Sequence, residues 1–378
     1  ESIWSITLSD IAADRGLTVG EVRNALESGP LTAQQQVDLA LATNLGWPEG
    51  ARDSALDRAG EDAIEIDIGA YTPPTTPIGS PVIAIVGGQG TIVNGGAGGS
   101  LFQEGSGFAS DSIAAALLEA GREDKVEAVV FRIDSPGGSP SASDQIWRAV
   151  QRIQEEEEKP VIVSMASTAA SGGYYAATGA DWIVANRSTI TGSIGIFGGK
   201  FAVQEGLARI GVNAETIIVG GEFSGAFTTT AAFTDEQRAQ FREFLKQGYD
   251  RFTLLVSEGR GLSEAEIDQV ARGRVWSGAD AIEVGLVDEL GGLNTAIAKA
   301  RELAEIDADA EVRLVTYPMS AGGLPFLGAS SSASAEELKA IGQLAQIINE
   351  PEVQALISEV EASRSSRIQA RMPHLIAK

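Results

Sequence analysis

The amino-acid sequence predicts an α/β fold in which helices are layered on a largely parallel sheet. Between residues 81 and 305, short apolar runs typical of buried strands alternate with amphipathic helical segments. Glycine accounts for 44 of the 378 residues and clusters where these strands should end, which lets the backbone approach a neighbour closely. Ligands of such sheets bind beside the carboxyl ends of the strands.

The elements follow in order along the chain. Residues 1–60 have the pattern of amphipathic helices, and the proline-rich residues 61–80 form a linker. Within the sheet domain, 81–305, the predicted strands are 81–86, 126–133, 160–165, 182–185 and 215–219. The predicted helices are 111–120, 143–158, 170–178, 203–210, 235–258, 263–272, 278–285 and 293–304. A C-terminal extension, 306–378, should contain a strand and a helical segment at 335–369 with one apolar face.

Composition excludes several classes of function. A formal net charge of −24 opposes binding to nucleic acid. The chain has no cysteine, and its single histidine, His374, lies near the C-terminus, which argues against Ser-His-Asp catalysis and against Cys- or His-based metal sites. We therefore expect no cofactor. No apolar run reaches the length needed to span a bilayer.

A repeated pattern links the two ends of the chain. The segment R-G-L-T-V-G-E at 15–21 reappears as R-G-L-S-E-A-E at 260–266, an offset of 245 residues (260 − 15) that holds without a gap through the flanking positions. Chance similarity of two amphipathic helices is one explanation, and duplication is the other. Duplication predicts that residues 1–60 are the tail of a first repeat whose body lies upstream.

Three strand-end motifs carry the candidate chemistry. Ser135-Pro136-Gly137-Gly138 can direct backbone N–H groups into a cleft, as an oxyanion hole requires. Ser171, in T-A-A-S-G-G-Y-Y, lies at the predicted transition from a strand to a helix, and Ser193 follows Thr191-Gly192. Taken alone, these motifs are a tight turn, a helix N-cap and a turn residue. Together they favour Ser171 as a nucleophile, which needs a neighbouring base.

In this order and spacing, the motifs S-P-G-G-S, A-A-S-G-G-Y-Y and I-T-G-S-I-G-I resemble those of the S49 family of serine peptidases, the signal peptide peptidases, which have a ClpP/crotonase-like fold. The resemblance covers roughly residues 80–300, and residues 1–60 resemble the end of the first half of the long, duplicated form. It implies a Ser-Lys dyad that cleaves hydrophobic signal-peptide remnants. By position, Ser171 would be the nucleophile, Gly137 and Gly172 the oxyanion donors, and Ser193 the residue that positions the lysine.

The base itself departs from the family pattern. In short relatives the lysine follows the nucleophile by about 50 residues, and Phe223 occupies that position here; no lysine lies between Lys200 and Lys246. In long relatives the first half donates the lysine. We therefore expect the missing first half or a neighbouring subunit to supply it, with Lys200 as the alternative within this chain.

The resemblance also implies a homo-oligomer that takes hydrophobic peptides and contacts a membrane. Its location would be the bacterial cell envelope, at the inner membrane with the catalytic part on the periplasmic side. Two other functions stay open. The chain could be a peptide-binding assembly half that cannot cut, or it could perform acyl-CoA chemistry with Glu104 or Asp134 as acid or base, which would leave Ser171 and Ser193 without a role.

Overall fold

The computed structural model describes residues 1–60, 62–67, 77, 79–96, 108–209, 211–213, 216–307 and 309–318. Most of the predicted linker, the helical segment at 335–369, Glu104 and His374 lie outside these residues. The described chain forms an α/β structure around one eight-stranded sheet. Its strands, β1 to β8, are Val82–Gln89, Val126–Ser135, Val161–Ala170, Trp182–Ala185, Ile190–Gly192, Val275–Ser277, Glu289–Leu290 and Arg313–Tyr317.

Helices surround this sheet and also make up the N-terminal segment. The helices α1 to α12 are Ser2–Arg15, Val19–Glu27, Ala33–Asp38, Pro48–Ala59, Ser110–Arg122, Pro140–Glu156, Gly172–Ala177, Gln204–Arg209, Asp235–Arg260, Glu264–Val270, Gly278–Glu283 and Leu293–Leu303. None of the helices in the described ranges is long and apolar enough to cross a membrane.

The strand β3 organises the sheet. The order is β6-β5-β3-β2-β1-β8, and every pairing is parallel except that of β5 with β6. One side of β3 pairs with β2, while its other side is shared by two short strands. Residues 162–164 pair with β4, and residues 168–170 pair with β5. The carboxyl ends of β2, β3 and β5 therefore meet at one edge of the sheet.

Hydrophobic cores cover both faces of the sheet. The larger core lies between the sheet and α5, α6, α7 and α9, and it includes Phe108, Phe131 and Tyr174, which are fully buried. The smaller core lies under α12, where Ala296 and Ala300 pack against the sheet. Burial on both faces explains why the central strands are continuous apolar runs, the pattern from which they were predicted.

One predicted strand is wrong. Strands at 81–86, 126–133, 160–165 and 182–185 are present, but the described residues 216–219 are not a strand. Ile217 and Val219 there are 88% and 86% exposed. The segment has the composition of a strand, yet no strand of the described chain pairs with it, and strand propensity acts only through such pairing and burial. The short strands β5 to β7 were not predicted because their pairing is entirely tertiary.

The structure repeats the 245-residue offset in its local geometry. The helices α1 and α9 both end at a left-handed glycine, with φ 65° at Gly16 and φ 64° at Gly261. The helices α2 and α10 both begin with a capping box, made by Thr18 with Glu21 and by Ser263 with Glu266. Adding 245 to the first and last residue numbers of α3 gives the first and last residue numbers of α11. This agreement in local structure is what duplication predicts, and duplication stays a prediction.

The two copies differ in what they pack against. In the second copy, Ala296 and Ala300 of α12 are buried on the sheet, whereas the equivalent Ala51 and Ala55 of α4 are exposed. The helix α1 instead contacts the sheet domain, through a salt bridge of 2.8 Å from Arg187 Nη1 to Asp10 Oδ1. The N-terminal segment thus has the local structure of a repeat tail without a sheet of its own among the described residues.

A buried tyrosine should make stability depend on alkaline pH. The hydroxyl of Tyr174 donates to the carbonyl of Leu286 at 2.8 Å, and burial raises the pKa of Tyr174. In the unfolded chain the tyrosine has its ordinary pKa of about 10, so it releases its proton at a lower pH than Tyr174 does in the folded protein. The contribution of the protonated Tyr174 to the free energy of unfolding is therefore complete below about pH 10 and is lost as the pH rises. Above about pH 10, the free energy of unfolding of the Tyr174→Phe variant should therefore fall less steeply with pH than that of the wild type, by up to about 1.4 kcal/mol per pH unit.

Urea unfolding at pH 8 and at pH 11 measures this effect for both proteins. At pH 8 the variant should lose about 1 kcal/mol of unfolding free energy with its hydrogen bond. An equal alkaline loss in the two proteins would show that Tyr174 is not the titrating group.

Candidate active site

Ser171 occupies a strained turn between β3 and α7. Its backbone has φ 52° and ψ −119°, a conformation that costs a non-glycine residue roughly 1–3 kcal/mol. Two hydrogen bonds hold it there: the Ser171 N–H donates to the Gly192 carbonyl, and its own carbonyl accepts from the Tyr175 N–H, both at 2.9 Å. A sharp strand-to-helix turn of this kind presents a serine hydroxyl above the sheet, as in nucleophile elbows.

The turn that follows β2 lies directly against Ser171. Gly137 has φ 108°, and a Cβ atom there would lie 2.7 Å from both Gly172 N and Ser171 Cβ. A Cβ atom on Gly138 would lie 2.0 Å from the carbonyl oxygen of Ile92. Both positions therefore require glycine, and the absence of side chains allows two strand-end turns to touch.

The backbone donors around Ser171 are not equivalent. The Gly137 N–H donates to Ser135 Oγ at 3.1 Å. Within the described chain, neither the Gly138 N–H nor the Gly172 N–H has a hydrogen-bond acceptor. Sequence reasoning chose Gly137 and Gly172 as donors, whereas this conformation leaves Gly138 and Gly172 free. The motif S-P-G-G contains both glycines, but only the folded turn shows which N–H is occupied.

Ser193 lies beside Ser171 on the neighbouring strand end. It has φ 49°, and its N–H donates to the carbonyl of Arg274 at 2.7 Å. The Ser193 side chain lines the same cleft as Ser171, and neither hydroxyl forms a hydrogen bond with another described residue. Two free hydroxyls on adjacent strand ends can therefore contact a third group that enters the cleft.

Two cavities open at Ser171. The outer cleft has a volume of about 690 Å³, and its lining includes Gly138, Ser171, Ser193, Phe197, Tyr249 and Arg272. The inner pocket has a volume of about 120 Å³, and it is lined by Gly138, Pro140, Ser171, Gly172, Tyr175, Gly195, Ile196, Phe197, Gly248 and Phe252. Most side chains of the inner pocket are apolar, so it suits an uncharged apolar group.

Among the described residues, no lysine, histidine or carboxylate lines either cavity. Lys200, the candidate within this chain, is not part of either lining; its ammonium is buried without a hydrogen-bond acceptor in the described ranges and lies 4.4 Å from the ring centre of Phe233. Phe223 packs edge-on against Phe227. Asp134, the candidate acid or base for acyl-CoA chemistry, accepts a hydrogen bond from the Thr168 N–H at 3.1 Å.

Tyr175, which lines the inner pocket, cannot act as a general base at neutral pH. The Tyr175 hydroxyl donates to Asp144 Oδ1 at 2.6 Å. Burial, reinforced by this hydrogen bond to a carboxylate, raises the pKa of Tyr175 above its ordinary value. The phenol therefore stays protonated, and its ring packs 4.8 Å from that of Phe252.

The described residues contain no group of three or more histidine, cysteine or carboxylate side chains that could hold a metal ion.

Comparison with known proteins identifies relatives for most of the chain. The family model described as peptidase family S49 matches residues 153–307. Protease 4 of Haemophilus influenzae is 40% identical over 234 residues, which are 61% of this chain and 36% of that protein. Protease 4 of Salmonella typhi is 36% identical over 277 residues, 73% of this chain and 42% of that protein. The chloroplastic serine protease SPPA of Arabidopsis thaliana is 30% identical over 338 residues, which are 86% of this chain and 49% of that protein. The chain thus spans less than half the length of each of these relatives.

Proposed function

Because this chain belongs to peptidase family S49, we propose that it supplies the nucleophile, Ser171, to a serine peptidase of the Ser-Lys type. The observation that carries the proposal is the strained turn at Ser171, which places a free hydroxyl at the junction of two cavities. Strain is retained at such positions when the surrounding structure and the function require it. An acyl-CoA activity would leave this turn without a purpose.

The chemistry follows from the positions of the groups. A neutral lysine amine takes the proton of Ser171 while Oγ attacks the carbonyl carbon of the scissile peptide bond. In this proposal the N–H groups of Gly138 and Gly172, which have no acceptor within the described chain, stabilise the resulting oxyanion. The C–N bond then breaks, and the protonated lysine gives its proton to the leaving amine. Water hydrolyses the ester on Ser171 by the same steps.

The lysine comes, in this proposal, from a preceding repeat or a neighbouring subunit. Two observations support an external source: no lysine of the described residues lines the cavities at Ser171, and Lys200 lies over Phe233. The outer cleft is wide enough to admit a side chain from another segment. The Ser193 hydroxyl would accept a hydrogen bond from that amine, or donate one to it, and so hold the amine near Ser171.

The substrates we propose are hydrophobic peptides such as signal-peptide remnants. The inner pocket would receive the side chain that precedes the scissile bond, because its lining combines Ser171 with the rings of Tyr175 and Phe252. We propose that the protein is located in the bacterial cell envelope, as an inner-membrane-associated oligomer that acts on the periplasmic side.

Covalent labelling tests this proposal. A peptidyl phosphonate reacts only with an activated serine, so the protein assembled with its lysine-bearing repeat should gain one adduct on Ser171, located by mass spectrometry of the digested protein. The present chain alone should label at least about 100-fold more slowly, because general-base assistance is worth 10²–10⁴ in rate.

The labelling outcomes separate the alternatives. Rapid labelling of this chain alone that disappears in Lys200→Met would place the base within the chain. Absence of labelling in the complete assembly, with bound peptide still detectable, would instead identify a peptide-binding half that does not cut.

A further inference from the structure

Gly248 stands out in the long helix α9, which spans Asp235–Arg260. Its backbone is helical, so no unusual dihedral angle requires glycine there. Glycine is, after proline, the least favourable residue in a helix interior. The position therefore carries a cost to the helix that its own backbone does not explain, and the explanation must lie in its surroundings.

Those surroundings are the inner pocket. Gly248 and Phe252, one helical turn apart, present the same face of α9 to it. A Cβ atom on Gly248 would lie 2.7 Å from Cδ1 of Ile196, which also lines the pocket. Any side chain at 248 therefore displaces Ile196, and we expect the pocket that both residues line to change in size or shape.

The three other pocket glycines differ from Gly248 in what they contact, and at Gly195 a Cβ atom would lie 3.1 Å from the backbone of Gly273. A Cβ atom would meet backbone of Ile92 at Gly138 and the Ser143 hydroxyl at Gly172, at 2.0 Å and 2.4 Å. Those two glycines are needed for the turns to touch. At Gly248 the obstacle is only the tip of a flexible side chain, so substitution alters the pocket and leaves the backbone in place.

The duplicated segment provides an internal comparison. At the offset of 245 residues, Gly248 corresponds to Ile3, and Phe252 corresponds to Thr7. Ile3 lies in α1 and is 38% exposed. The same helical position thus accepts a large apolar residue where it does not line the inner pocket.

We propose that Gly248 is a specificity-determining residue: it sets the size of the apolar side chain that the peptidase accepts before the scissile bond. The inference rests on the proposed function, since it assigns the inner pocket to the substrate. The small volume of the pocket, about 120 Å³, makes each added carbon atom in its wall significant. Discrimination by one methylene in an apolar pocket is worth roughly 10- to 200-fold.

The experiment uses the assembled enzyme and fluorogenic peptides that differ only in having Ala, Leu or Phe before the scissile bond. Gly248→Ala should lower kcat/KM for the Leu and Phe peptides at least about tenfold relative to the Ala peptide. Adding Ile196→Val removes Cδ1, the atom in the way, and should restore the wild-type ratios to within about threefold. Gly50→Ala is the matched control, because that helical glycine has open space around it.

Binding measurements separate this inference from the proposed function. In a Ser171→Ala background, the dissociation constants of the Leu and Phe peptides should rise with Gly248→Ala and recover with Ile196→Val. Size-selective binding without turnover in the wild-type protein would refute the peptidase and retain the inference. Unchanged preference in Gly248→Ala, or an equal loss for all three peptides, would overturn the role of Gly248.

Discussion

Replacing Ser171 with alanine should lower the turnover number of the assembled peptidase by about 10⁴- to 10⁶-fold, the size of effect seen when a serine nucleophile is removed. The turn itself should persist, because alanine is no worse than serine at φ 52° and both backbone hydrogen bonds of residue 171 remain. The Michaelis constant should change little, since the cavities keep their walls. Steady-state hydrolysis of a fluorogenic hydrophobic peptide measures both quantities.

Ser141→Ala is the matched control for this prediction. Ser141 is an exposed serine that donates to Asn94 Oδ1 at 2.9 Å and lines neither cavity. Its substitution should leave the turnover number within about threefold of wild type, as expected for a surface position. Residual activity of Ser171→Ala above one-hundredth of wild type would contradict the assignment of the nucleophile.

Replacing Arg260 with alanine should lower the free energy of unfolding by about 3–5 kcal/mol, the cost of breaking a buried ion pair from one side. The side chain of Arg260 is 7% exposed, and it pairs with Asp288, which is 20% exposed. The guanidinium also donates to the carbonyl of Gly285 at 3.2 Å. Without it, the Asp288 carboxylate keeps the Ile183 N–H, at 2.8 Å, but loses its counter-charge.

The duplicated segment supplies a control at the equivalent position. Arg15 donates to the carbonyl of Ala40 at 2.7 Å and to Thr43 Oγ1 at 3.2 Å, which are the counterparts of Gly285 and Asp288 at the same offset. These bonds are exposed to solvent and involve no carboxylate, so Arg15→Ala should cost about 1 kcal/mol. Chemical unfolding of the two variants under identical conditions makes the comparison. Equal losses would mean that the Arg260–Asp288 pair stabilises no more than an exposed hydrogen bond.

Much of the site was accessible from the sequence because its chemistry depends on residue types in a fixed order. Counting histidine, cysteine and lysine removed the common bases, and the three strand-end motifs indicated Ser171 and Ser193. Apolar runs located β1 to β4 because buried parallel strands need side chains that pack on both faces. The segment at 216–219 was misjudged for the same reason, since its composition is that of a strand without a partner.

Other features depend on contacts between distant segments. The free donor on Gly138 follows from the hydrogen bond between Gly137 and Ser135, and the inner pocket follows from the approach of α9 to Ser171. Gly248 could have been noticed as a glycine inside a long amphipathic helix, but its meaning depends on Ile196, 52 residues earlier (248 − 196).

The sequence by itself determined the α/β fold class and the family of this chain, and it predicted the repeat and the serine of the proposed site, because periodicity, motif order and residue counts are local or countable properties. Only the tertiary structure decided which N–H groups are free, that Lys200 lies over Phe233 and lines neither cavity, and that a side chain on Gly248 would meet Ile196. The physical reason is that hydrogen-bond satisfaction and steric clearance belong to pairs of atoms, and here those atoms come from strands and helices that only folding brings together.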